Sequence, residues 1–71
     1  MKFDMSIDDN YASFIDKESG EAVFVESFDN VDFEVRIGTV TDSQEAGIIR
    51  AKTSDELNTK LEEVFRKFRS K

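Results

Sequence analysis

The chain contains no cysteine, no histidine, no proline and no tryptophan. Loss of cysteine and histidine together removes disulfide staples, thiolate nucleophiles, imidazole bases and the usual zinc ligands, and leaves the redox compartment open. No stretch approaches the roughly 18 apolar residues that a membrane-spanning helix requires. The opening Met1-Lys2-Phe3-Asp4-Met5 has no apolar run of the secretory kind. The expectation is a soluble, cytoplasmic protein with no cofactor, no metal and no membrane partner. At 71 residues the chain is read as one domain, 1–71, with a thin core, because a chain this short buries only about 60% of the surface its unfolded form exposes. Seven phenylalanines point to a core filled with Phe in place of a larger aliphatic set.

Positive charge is scarce outside the C-terminal end. Residues 1–50 hold twelve Asp and Glu against four Lys and Arg, whereas residues 51–71 hold four against six, for a net charge of −6. An acidic body repels phosphates, so direct nucleic-acid binding is not expected, and a basic protein partner suits it better.

What is present begins with a helix. From Thr53 onward, Leu57, Leu61, Val64, Phe65 and Phe68 fall on one stripe while Asn58, Lys60, Glu62, Glu63, Arg66 and Lys67 take the other side. Thr53 followed by Glu56 is the spacing of a capping box, which predicts a helix over Ser54 to Arg69. Glu56 with Lys60, Glu62 with Arg66, and Glu63 with Lys67 are acid-before-base pairs four apart, and the cations of the last turn suit the negative end of the helix dipole. The basic helix end therefore has a local explanation that needs no phosphate.

The rest alternates with period two. Lys2 to Asp8 places Phe3, Met5 and Ile7 on one side and is predicted as a strand, turning at Asp9-Asn10. A strand from Tyr11 to Ile15 or Asp16 follows, then a reversal at Lys17-Glu18-Ser19-Gly20 with Gly20 supplying positive φ. Glu21 to Phe28 is apolar on both sides, with Val23 and Val25 facing one way and Ala22, Phe24 and Phe28 the other. After a turn at Asp29-Asn30, Val31 to Val40 puts Val31, Phe33, Val35 and Ile37 inward. Thr41 to Gly47 reads as a polar loop, and Ile48 to Lys52 as a short last strand. The expected architecture is a two-layer α+β fold: an antiparallel sheet of four or five strands, covered on one face by a single C-terminal helix lying over Phe3, Met5, Ile7, Phe33, Val35 and Ile37.

No constellation carries catalytic chemistry. Asp16 to Glu21 resembles part of a calcium loop, but counting from Asp16 the sixth and twelfth positions hold Glu21 and Ser27 where glycine and a bidentate glutamate are needed. Paired carboxylates such as Asp8 with Asp9 and Asp32 with Glu34 lack the cleft that would raise a pKa, so solvated strand faces account for them and an enzyme is not expected.

The Val23-Phe24-Val25 strand is the feature left over. With one helix as cover, one side of this strand goes without. That predicts an apolar strip on the far face, rimmed by Asp4, Asp8, Glu26, Asp32 and Glu34. The candidate partner-binding residues are Phe24, Glu26, Phe28, Asp32 and Glu34, with no catalytic and no metal-binding residue among them. The functional expectation is a small acidic inhibitor or adaptor that occupies a partner's surface, with nucleic-acid mimicry as one version. The alternative is a structural or assembly protein whose sheet face forms a homo-oligomer seam, in a homodimer or in a larger particle.

Overall fold

A computed structural model describes residues 2–69. Four strands, β1 (Tyr11–Ile15), β2 (Ala22–Glu26), β3 (Asp32–Gly38) and β4 (Ser43–Arg50), are followed by one helix, α1 (Ser54–Arg69). The sheet is an antiparallel meander in the order β1-β2-β3-β4. The helix packs on one face of it, so the expected two-layer α+β architecture holds, with four strands among the described residues.

Period-two alternation sorts the side chains as expected except at Val31, which is read as inward but lies exposed just before β3 begins. Val23, Val25, Phe33, Val35 and Ile37 point to the helix side and are buried together with Leu57, Leu61 and Phe65 of the helix. Val64 and Phe68 pack at its margin. Thr53 Oγ1 accepts the Glu56 N–H at 3.1 Å, and the Glu56 carboxylate accepts the Lys52 N–H at 2.8 Å. The reciprocal bond of the cap thus reaches one residue beyond Thr53, and the first turn is still satisfied from both directions. Lys60 lies 3.7 Å from Glu56 and Arg66 lies 2.6 Å from Glu62, two of the expected intrahelical pairs. At the far end Arg69 reaches Glu21 at 3.6 Å and sits over the Phe65 ring, fastening the helix to the β1–β2 hairpin.

The first correction concerns Lys2 to Asp8, which forms no strand. The side chains do alternate: Met5 is buried, Phe3 and Ile7 are half-buried, and Lys2, Asp4, Ser6 and Asp8 are exposed. The backbone, however, bonds to helix side chains. Asn58 accepts the Met5 N–H at 2.8 Å and donates to its carbonyl at 2.9 Å, and Ser54 Oγ accepts the Ile7 N–H at 2.9 Å. The segment is a strap lying beside the helix, with Phe3 edge-on to both Phe14 and Phe65. Geometry explains it. Four strands put the outer axes about 14 Å apart, whereas a helix is about 10 Å wide. The helix lies over β3 and β4, and the strap sets Phe3 against Phe14 of β1, on the side that the helix leaves open.

The strap turns at Ser6 to Asp9, earlier than the expected Asp9-Asn10, with the Asp9 N–H bonded to the Ser6 carbonyl. Gly20 takes the expected positive φ in the β1–β2 reversal, and Asn30 takes φ 59° in the β2–β3 loop. Asn30 also donates to the carbonyls of Ile7 and Asp9, tying the end of the strap to that loop.

The second correction is β4, which begins at Ser43 inside the segment read as a loop. As an edge strand it is largely exposed, so its residues are polar without being irregular. A bulge also breaks its period: Val35 faces Gly47 while Arg36 faces Glu45, leaving Ala46 as the extra residue. Gly47, at φ 138°, is the residue that tolerates this backbone. The β3–β4 turn shrinks to residues 39–42, and a Cβ at Gly38 would collide with the Asp42 backbone.

A candidate interaction face

The face of the sheet turned away from the helix has no cover among the described residues. Strand register arranges its side chains in rows across all four strands. Tyr11, Glu26, Glu34 and Ile48 form one row, and Ser13, Phe24, Arg36 and Glu45 the next. At one side Arg50 stands opposite Asp32, and the β2–β3 loop projects Phe28.

Tyr11, Glu26, Phe28, Asp32, Glu34 and Ile48 bound a shallow groove of about 460 Å³. Glu26, Phe28, Asp32 and Glu34 from the sequence are therefore brought together. Phe24 lies one row away and is half-buried, while Val23 and Val25 are wholly buried on the opposite face. The apolar exposure is not centred on β2. It sits on the edge strands and the loop, at Tyr11 (55% exposed), Ile48 (66%) and the fully exposed Phe28. Asp4 does not rim this face, since the strap carries it to a groove beside Ser54, Asn58 and Glu62, and Asp8 lies in the strap's turn. Tyr11 and Ile48 are the members that strand-by-strand reading did not select. The signal for both is the cross-strand register, with Glu26 for Tyr11 and with Glu34 for Ile48, and only the second depends on β4.

The charges of the face are mixed. Arg50 Nε donates to Asp32 Oδ1 at 2.9 Å and Nη2 to Oδ2 at 3.4 Å, and this pairing pushes the Arg50 pKa still further up. Arg36 Nε meets Glu34 at 3.1 Å. Both pairs are exposed and contribute little to stability. Glu26 has no such partner among the described residues and stands directly opposite Glu34, a like-charge pairing that destabilises a sheet. In the β2–β3 loop Asp29 accepts the N–H groups of Asp32 and Val31, which hold its carboxyl below the usual range and fix the loop that carries Phe28.

Among the described residues no group of acidic side chains is arranged to hold a metal ion, and no helix is long and apolar enough to cross a membrane. No family model, curated protein or solved structure matches the chain.

Proposed function

We propose that this is a small acidic interaction module, an inhibitor or adaptor that acts in the cytoplasm by docking the uncovered sheet face on a protein partner. The observation that carries the reading is Phe28, fully exposed on a loop whose backbone is pinned by Asp29 and Ser27. Burying such a side chain is worth about 1.5–3 kcal/mol, and within this chain none of that is recovered. A rigidly held aromatic beside Tyr11 and Ile48 is suited to act as an anchor entering a partner's pocket.

The opposed Glu26 and Glu34 supply the charge preference. A lysine or arginine from the partner placed between them would remove their mutual repulsion, so the partner is basic where it docks. The same two carboxylates disfavour face-to-face self-association, which would set acid against acid. Mimicry of a nucleic-acid backbone is also less well supported than a mixed protein contact, because Asp32 and Glu34 already have arginine neighbours.

Affinity capture from the native host, followed by titration of the captured protein against variants, tests the reading. Phe28→Ala should weaken binding by roughly 30-fold or more, the scale of an interface anchor, with the thermal midpoint unchanged. Glu26→Gln and Glu34→Gln should slow association and flatten its salt dependence. A partner that binds Phe28→Asp as tightly as the parent chain would remove this face from consideration. Phe24→Asp is the less clean probe, since that side chain is half-buried and its loss also costs stability.

A further inference from the structure

We infer that β1 is the seam of a twofold homodimer, in which the β1 strands of two copies pair antiparallel about Ser13 and join the two sheets into one. This goes beyond the docking face and rests on the β1 edge, which shares Tyr11 with that face.

The first observation is hydrogen-bond parity. Ser27 N–H donates to the Asn10 carbonyl and Asp16 N–H to the Glu21 carbonyl, each at 2.8 Å, and both pairs continue the β1–β2 register. Bonded pairs alternate along an antiparallel ladder, so Ala12 and Phe14 also bond to β2. The N–H and C=O groups of Tyr11, Ser13 and Ile15 consequently point out of the free edge. These positions are symmetric about Ser13. When two such edges meet antiparallel, Tyr11 faces Ile15 of the other copy and Ser13 faces Ser13, and every outward group finds a complement.

The second observation is that the other edge is guarded and this one is not. β4 carries the Gly47 bulge together with Glu45 and Arg50, devices that discourage edge pairing. β1 reads Tyr-Ala-Ser-Phe-Ile, with no charge, no register shift and β-favouring residues at most positions. In a chain that is 37% charged, an uncharged edge strand is unusual company for its surroundings. Tyr11 and Ile15, each more than half exposed, would cover one another across the seam.

Charge complementarity selects a second copy as the occupant. The Tyr11 end of the edge is preceded by Asp8 and Asp9. The Ile15 end is followed by Lys17, and Lys2 lines the same groove of about 500 Å³ that runs along Ser13 to Lys17. Asp16 at that end is engaged by the Glu18 N–H of its own turn. Antiparallel pairing places Asp9 of one copy opposite Lys17 of the other at both ends. A five-residue strand makes a small seam, below the roughly 1,200 Å² of standard interfaces, so the dimer is weak and concentration-dependent.

Sedimentation equilibrium of the full chain from about 10 μM to about 1 mM should show a monomer–dimer equilibrium. Ser13→Pro should raise its dissociation constant at least tenfold without altering the fold, because ladder parity turns the Ser13 N–H out of the sheet and proline is accepted on such an edge. If that variant unfolds, Ser13→Lys provides the same test by setting two cations face to face at the axis. Register is read separately. Under oxidising conditions Ser13→Cys should cross-link, since facing residues of a bonded pair lie about 5.5 Å apart at Cα, whereas Ile15→Cys should not. A chain that stays monomeric throughout the range overturns the proposal. So does a dimer that survives Ser13→Pro or Ser13→Lys, or equal cross-linking at positions 13 and 15. Partner binding through Phe28 should be indifferent to Ser13→Pro, so the two readings fail independently.

Discussion

The inner face of the sheet is closed by two covers, the helix and the N-terminal strap, and they hold on by different means. The helix forms its own backbone bonds, caps its first turn with Thr53 and Glu56, and contributes Leu57, Leu61 and Phe65 to the core. Among the described residues the strap has no internal ladder and no strand partner. Its Phe3, Met5 and Ile7 point inward, but its backbone is satisfied by Asn58, Ser54 and Asn30, side chains from elements that fold around it. One cover is an element in its own right. The other takes its shape from what it rests on, which places it at the low-stability end of the molecule.

The largest effect expected from breaking this comparison comes from the helix. Leu61→Ala should destabilise the protein by about 2–5 kcal/mol, the range for a fully buried leucine, and for a domain this small that is enough to unfold much of the population. Urea denaturation measures it. A loss of less than about 0.5 kcal/mol, the size of surface effects, would mean that the helix is not the main cover.

Sharpening the comparison calls for a change at the contact that holds the strap to the helix. Asn58 holds both the N–H and the carbonyl of Met5, and also donates to Ser54 O within the helix. Asn58→Ala should cost about 1–3 kcal/mol, because the groups left behind are partly buried. Its signature is local. Amide exchange at Met5 and Ile7 should accelerate while amides near Leu61 keep their relative protection. Uniform acceleration would mean that strap and helix open as one unit.

The same contrast explains what could be read from residues alone. The helix was legible to its ends, because its stripe, cap and ion pairs all give the same answer. The inward set of the strap was equally legible, since Phe3, Met5 and Ile7 alternate as a strand would. Alternation reports which side chains are buried and is silent on what the backbone bonds to, and that decision rests with Asn58, 53 positions along the chain. In β4 the reverse happened. Backbone pairing is regular on both sides of the bulge, but Ala46 shifts the period and the edge position keeps the residues polar, so Ser43 to Gly47 gave no strand signal. The groove inherited the same gap: Glu26, Asp32 and Glu34 were visible as a charged set, while Ile48 joined them only once β4 was in register.

Acid should produce the smallest effect, and it separates the loops from both covers. Three carboxyls titrate below their ordinary values: Asp29, held by the N–H groups of Asp32 and Val31; Asp16, held by that of Glu18; and Glu56, held by that of Lys52 with the Lys60 charge beside it. Each is lowered in the folded chain, so each stabilises the fold fully above its unfolded value, 3.8 for the aspartates and 4.5 for the glutamate, and loses that contribution as pH falls through the folded value. All three are solvent-exposed, so the change is modest and salt-sensitive. Stability measured by urea denaturation should be level above about pH 5 and decline below pH 4. Asp29→Asn removes one titrating group while an amide oxygen can still accept the two loop N–H bonds, so the variant should show a shallower acid decline than the parent chain. Because Asp29 fixes the loop between β2 and β3, which meets the strap at its Ile7 and Asp9 end through Asn30, Met5 and Leu61 should keep their exchange order at low pH. An acid decline as steep in Asp29→Asn as in the parent would assign the pH dependence to the two remaining groups, Asp16 in the β1–β2 turn and Glu56 at the helix start.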